Sequence, residues 1–251
     1  MLSSTERFSN RVDNYVRYRP HYPKEVLECL QTECGLTKIS VIADVGSGTG
    51  FLTELFLQNG NAVFAVEPNR EMREAAEGLL KDYSNFTSVV GTAEETTLAE
   101  NSIDFITVGQ AFHWFEQDKT RKEFQRILKP QGQVALVWNE RRDSGPLDYA
   151  YEQLVRKYSD DYAEVHHKRI DDEVLKHFFG GEFGKKTLEN FQTFDFEGLK
   201  GRLLSSSYSP EGGHPKHEPM LAELQEIFNA HQVSGRVTVA YDTRLSFSHL
   251  H

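Results

Sequence analysis

The sequence predicts an α/β fold of the doubly wound kind, a mostly parallel sheet with helices on both faces. Three observations carry that prediction. Short apolar runs alternate with helix-patterned segments from about residue 24 to 139. The runs are apolar throughout, as strands covered on both faces must be. And three glycines crowd into "DVGSGTGFL" (44–52) directly behind the run "SVIA". In such a sheet the ligand sits outside the carboxyl ends of the strands, where a glycine-rich turn leads into a helix.

In chain order, "KEVLECLQTEC" repeats apolar positions at helical spacing and stops at Gly35. "SVIADVG" is a buried strand, and "GFLTELFLQNG" is a helix stopped by Gly60. "AVFAVE" is a second strand, followed by the helix "NREMREAAEGLLKDY" with Asn69 as its N-cap. "FTSVVG" and "IDFITVGQ" are the third and fourth strands, "DKTRKEFQRIL" a helix and "QVALVW" the fifth strand. Beyond Trp138 the rhythm breaks. "LDYAYEQLVRKYSDDYAEV" reads as a Tyr-rich helical insertion over the sheet, and "KTLENFQTFDF" as a strand. "SSSYSPEGGHPKHEP" is a loop, "EPMLAELQEIFNAHQ" a helix, and "RVTVAYDTRLSFSHL" a cleanly alternating antiparallel last strand. That makes seven strands.

Bulk composition narrows the function. Of 251 residues, 28 are Lys or Arg and 38 are Asp or Glu, a net charge of −10. Nucleic-acid binding needs clustered cations, and no long basic run occurs, so no nucleic-acid partner is expected. No stretch approaches the roughly 20 apolar residues of a membrane span, and the N-terminus lacks a signal-peptide core. The two cysteines, Cys29 and Cys34, form no disulfide framework or metal-ligand set. A cytoplasmic protein without a metal site or membrane partner is the expectation. No sequence signal bears on oligomeric state.

Three readings compete for the glycine loop. A phosphate-binding loop ends in Lys followed by Ser or Thr; here Phe51-Leu52-Thr53 follows, and that reading fails. A dinucleotide fingerprint is GxGxxG, and Phe51 stands in the place of its third glycine. A turn without a ligand needs only one or two glycines.

The pattern acid-x-Gly-x-Gly-x-Gly resembles motif I of the class I S-adenosylmethionine-dependent methyltransferases. Glu67 closes the second strand in "AVFAVEPN", where that family places the acid that grips the ribose hydroxyls. "GTAEE" (91–95) stands where the family reads the adenine edge, and "LKPQG" (128–132) resembles its LKPGG turn, with Gln131 replacing a glycine. "FSNRVDNYVRYRPHYP" and "GQAFHWF" look like the small-molecule branch that includes the trans-aconitate methyltransferases. The resemblance spans residues 36 to 140 and implies a Rossmann-like methyltransferase fold with S-adenosylmethionine as cofactor. It implies a single domain over 1–251: a cover segment (1–35), a cofactor-binding core (36–140), a helical insertion (141–185), and C-terminal strands and helix (186–251).

By the same resemblance Tyr15, Tyr18 and Arg19 cover the methionine end of the cofactor, with Arg19 also a partner for a substrate carboxylate. Asp44 serves the methionine ammonium through the loop, and Gly46, Ser47, Gly48 and Gly50 supply close backbone approach. Pro68 and Met72 pack on the adenine, while Thr92, Ala93 and Glu94 border its edge. Gln110, Ala111 and Trp114 lie beside the methionine chain.

His113 stands nearest the chemistry. It serves as a base, orients a carboxylate, or with Trp114 walls the cofactor pocket. Arg141 and Arg142 either bind an acidic substrate bidentately or are surface charges. Tyr151, Tyr158 and Tyr162 form a stripe at helical spacing, and His166-His167 lacks ligand partners for a metal. The function expected is methyl transfer to a small-molecule acceptor, an oxygen of an organic acid. A nicotinamide-dependent oxidoreductase and a non-catalytic cofactor-binding protein are the alternatives.

Overall fold

The computed structural model describes residues 12–159, 170–206 and 208–250. Seven strands form one sheet: β1 (Val41–Val45), β2 (Ala62–Val66), β3 (Phe86–Val89), β4 (Ile103–Gly109), β5 (Leu128–Arg141), β6 (Gly184–Phe194) and β7 (Val237–Ser248). Their order is β3-β2-β1-β4-β5-β7-β6. β1 pairs parallel with β2 and β4, and β4 with β5, while β7 runs antiparallel between β5 and β6. The order reverses between β1 and β4, which opens a crevice at their carboxyl ends.

Helices α2 (Glu25–Cys34), α3 (Phe51–Asn59) and α4 (Arg70–Leu80) cover one face through Leu30, Phe56 and Leu80. On the other face, α5 (Gln117–Ile127) and α7 (Asp172–Phe179) pack Phe124 and Phe178 against Phe112. Each boundary has a local cause. Gly35 and Gly60 end α2 and α3 in the left-handed conformation. Asn69 caps α4 by accepting from Met72 N, and the helix stops at Leu80, three residues short of the predicted end.

A third apolar cluster lies beyond the sheet. It gathers Tyr151 and Leu154 of α6 (Pro146–Tyr158), Leu199 and Leu203 of α8 (Phe196–Leu204), and Leu224 of α9 (His217–His231) around Tyr241. With α1 (Val12–Tyr18), these helices form a cap. Within 141–185, read as a helical insertion, the described helices are α6 and α7. The cap draws α6 from before β6 and α8 and α9 from after it, whereas α7 belongs to the sheet-covering layer.

Helix α8 escapes sequence reading because Gly198 and Gly201 each cost about 1 kcal/mol of helix propensity. Packing explains Gly201: a Cβ there would lie 2.1 Å from the Tyr18 ring. "LKPQG" is not a turn ahead of β5 but an irregularity within it, since pairing steps from Ile103↔Leu128 to Phe105↔Gln133. Tyr162, His166 and His167 lie outside the described residues. Among the described residues no helix is long and apolar enough to cross a membrane.

Candidate active site

The site is built at the carboxyl ends of β1, β2 and β4. The three glycines of the loop differ in what they face. All have positive φ, at 68°, 57° and 89° for Gly46, Gly48 and Gly50. A Cβ on Gly46 would stand 2.6 Å from Ala111 Cβ, and one on Gly50 would stand 2.7 Å from Leu80 Cδ1. A Cβ on Gly48 would meet nothing within 4 Å. The outer glycines thus let the loop pack on its own protein, and the middle one opens toward free space.

Asp44 is buried at the end of β1, where it accepts from Thr53 Oγ1 (2.6 Å) and Thr107 Oγ1 (3.1 Å). Burial pushes its carboxyl up to about 6, against the pull of these hydrogen bonds. Its oxygens tie strand to helix behind the loop, so any service to a ligand passes through the loop. Glu67 Oε2 accepts from Gly48 N and Oε1 from Asn69 N, both at 2.8 Å. Burial raises its pKa, and the two amide bonds oppose the rise. Each oxygen keeps a second lone pair.

Met72 is buried just past Glu67, and Pro68 is exposed beside it. Ala93 is buried and Thr92 exposed; Glu94 Oε1 accepts from Glu116 N at 2.8 Å. After β4, Gln110 holds φ at +59°, a strained value for a side-chain-bearing residue, and its Nε2 donates to Asn139 O at 3.0 Å. This turn delivers Ala111 to Gly46, and then Phe112–Trp114 as one turn of 3-10 helix. His113 and Trp114 rings lie 4.5 Å apart, both half-buried.

The N-terminal segment roofs these strand ends. Gly109 sits so close to Tyr22 that a Cβ would stand 2.6 Å from the Tyr22 hydroxyl. His21 packs its ring 4.2 Å from Phe51, which gives the residue at the third-glycine position a partner. Asn139 donates to Pro20 O and His21 O, Asn190 to His21 O, and Gln192 to Tyr18 O. A cavity of about 210 Å³ lies between His21, the start of α3 and the end of α4, lined by Val16, His21, Thr49, Phe51, Glu54 and Leu79 among others. Tyr15 belongs to α1, with its side chain outside the described residues.

Arg19 turns to the cap, donating to Ser205 O (3.0 Å) and Ser206 Oγ (3.4 Å). Arg141 is not the solvated surface charge that one reading expected, whereas Arg142 is a partly exposed, ion-paired one. Arg141, its side chain 11% exposed, is ion-paired with Glu152, with its guanidinium 4.6 Å from the Tyr151 ring centroid. Arg142 pairs with Asp242 and Glu189. Tyr151 is buried in the cap's core and Tyr158 lies at its edge. Sequence reading did not single out Tyr22, Asn139 or Gln192; their asparagine, glutamine and tyrosine types carry no periodic or motif signal.

The loop fits a nucleoside cofactor with an amino-acid tail. Among the described residues, Ser47 Oγ and Thr49 Oγ1 are buried there with no hydrogen-bond partner and Gly48 leaves open space, while Glu67 retains lone pairs at the end of β2.

Residues 43–136 match the family model described as a methyltransferase domain. An uncharacterized methyltransferase of Schizosaccharomyces pombe is 30% identical over 247 residues, covering 94% of this chain and 96% of the relative. One of Mycobacterium tuberculosis is 37% identical over 134 residues, 53% of this chain and 52% of the relative. A candidate type II methyltransferase from Anaeromyxobacter dehalogenans superposes with a TM-score of 0.69 at 20% identity, over 93% of this chain and 98% of that one. At that identity the likeness speaks for the fold.

Proposed function

Because this chain belongs to the class I S-adenosylmethionine-dependent methyltransferases, we propose that its acceptor is a small organic acid methylated on oxygen. The observation that carries the reading is the roof. Residues 18–22 are held across the strand ends by Asn139, Asn190 and Gln192, and Tyr22 lies against Gly109. A site covered in this way suits a small acceptor rather than an extended polymer. The net charge of −10 also disfavours a nucleic-acid acceptor.

When bound, S-adenosylmethionine supplies an electrophilic sulfonium methyl group and departs as a neutral thioether. The protein's task is then alignment and exclusion of water. Glu67 holds the ribose hydroxyls with the lone pairs left by Gly48 and Asn69. Ser47 and Thr49 offer their hydroxyls to the amino-acid tail, and Gly48 admits it. Met72 and Ala93 flank the base, and the roof shuts out solvent. A carboxylate acceptor is already ionised near neutral pH and requires no base. In this reading His113 and Trp114 wall the pocket and orient the acceptor.

The test is calorimetric titration with S-adenosylhomocysteine beside NAD, followed by methyl-transfer assays on a panel of small acids and phenols. Selective micromolar binding and ester formation on an acid are expected; turnover only on phenols or amines would overturn the acceptor class. Glu67→Ala should weaken S-adenosylhomocysteine binding about tenfold or more, roughly 1.4 kcal/mol, with the fold retained. Unchanged affinity would remove Glu67 from the ribose.

A further inference from the structure

The cap contains a concentration of positive charge that the fold does not require. Arg202, on α8, is 6% exposed. Its Nε donates to Tyr241 OH at 3.0 Å and its Nη1 to Ser206 Oγ at 3.3 Å, both neutral groups. Among the described residues no carboxylate lies within ion-pair distance of it. A buried guanidinium without a counter-charge is costly, and replacing such a group by an apolar one is often neutral or stabilising.

Other groups converge on the same place. Arg19 Nη2 reaches the same Ser206 Oγ at 3.4 Å, so two guanidiniums meet at one hydroxyl. Arg141 stacks over Tyr151 from the end of β5, two residues along the strand from the Asn139 that holds the roof. Of the nearby carboxylates, Glu152 binds both Arg141 and Arg156, while Asp148 lies near Arg141 with its Oδ1 buried and, among the described residues, without a hydrogen-bond partner. Three guanidiniums, those of Arg19, Arg141 and Arg202, thus gather around Ser206 and Tyr151. Tyr208 feels the result. Burial alone would raise its phenol, yet Arg141, Arg202 and Arg19 draw it below its usual range.

Tyr151 supplies the independent sign of a ligand. It is 2% exposed, its hydroxyl has no hydrogen-bond partner among the described residues, and it faces Arg202, Arg141, Tyr208 and Tyr241. A buried hydroxyl left without a partner costs roughly 1–3 kcal/mol. An anion at this point would satisfy both the guanidinium and the phenol, and the planar fork of arginine matches carboxylate and phosphate oxygens.

We propose that Arg202 and Tyr151, supported by Arg19 and Arg141, form an anion subsite in the cap that grips an acidic group of the acceptor remote from the oxygen that is methylated. The proposal rests on the reading that the acceptor lies beneath the roof. It divides the labour of the site: the glycine-loop side holds the methyl donor, and the arginine side sets which acids are accepted. The ligand chemistry is a carboxylate or a phosphate group.

Thermal melting of the full chain tests it, with millimolar succinate or inorganic phosphate as probes and neutral succinamide at matched ionic strength as control. In the native protein one of the two anions should raise the melting temperature by a few degrees, saturably, while succinamide does not. A response to succinate marks a carboxylate source, and a response to phosphate alone marks a phosphorylated acceptor. Arg202→Met should keep the ligand-free melting temperature and lose the response. Should that variant fail to fold, Tyr151→Phe removes a single oxygen and should weaken the anion response several-fold. No response in the native protein, or full responses in both variants, would overturn the subsite. S-adenosylhomocysteine binding is measured on the same samples. A normal anion response with no acid ever methylated would defeat the acceptor reading while leaving the subsite standing.

Discussion

The half of the sheet around β1 and β2 and the half around β5, β7 and β6 make their sites from different materials. The first works with backbone: positive-φ glycines, amides of Gly48 and Asn69 on Glu67, and a strained Gln110. The second works with long side chains: Arg19, Arg141 and Arg202 among Tyr151, Tyr208 and Tyr241. Backbone geometry is set by neighbours in the chain, and it suits a cofactor that does not change. Side chains can be exchanged one at a time, which suits the half that chooses an acceptor.

The sharpest way to break that contrast lies in the glycines themselves. Gly46→Ala forces a Cβ against Ala111 in a left-handed backbone and should cost about 3–4 kcal/mol of stability. Gly48→Ala meets open space and should cost only about 1 kcal/mol, yet abolish S-adenosylhomocysteine binding. Denaturant unfolding and calorimetry on the pair decide the matter. Equal stability losses would mean that the loop is uniformly structural.

On the cap side, Arg141→Met strands Glu152 in a site where both partners are 11% exposed. About 3 kcal/mol should be lost, short of the upper range for broken buried pairs because Arg156 still reaches Glu152. Cofactor affinity should not change if the two halves are separable. A loss of S-adenosylhomocysteine binding in this variant would show that they are one unit.

The smallest effect is a matter of pH. Asp44 titrates near 6 in the fold against about 3.9 when unfolded, so the folded state keeps its proton longer. The stability this contributes is complete below about pH 4 and is lost as pH rises to about 6. Asp44→Asn should therefore gain on the native protein across that window and run parallel to it above. Unfolding measured at a series of pH values would refute this if the difference stayed flat.

How much could be read from the sequence follows the same division. The loop, the Asn69 cap and the alternation of strand and helix in the first half were legible because turn, cap and periodic patterning are local. Glu67 was legible as the acid that closes the second strand, but its bonds from Gly48 N and Asn69 N were not. Arg202 was not, since it sits in "FEGLKGRLL", where two glycines mask the helix, and nothing local says that its guanidinium is buried. Arg141 left two readings open for the same reason: adjacent arginines after a strand look solvated, and only the fold of α6 beneath them decides otherwise. Phe51 was legible as a departure from the dinucleotide pattern, but its partner His21 lies outside any motif.

The tethers of the roof carry a consequence for assembly. His21 meets Asn139 and Asn190 across 118 and 169 residues of chain, and Tyr18 meets Gln192 across 174. Loops of that length close slowly, and their anchors exist only once β5 and β6 have paired with β7. Residues 18–22 therefore find their place only after distant strands have paired. Until then the crevice stands open to solvent and to whatever acid or cofactor arrives.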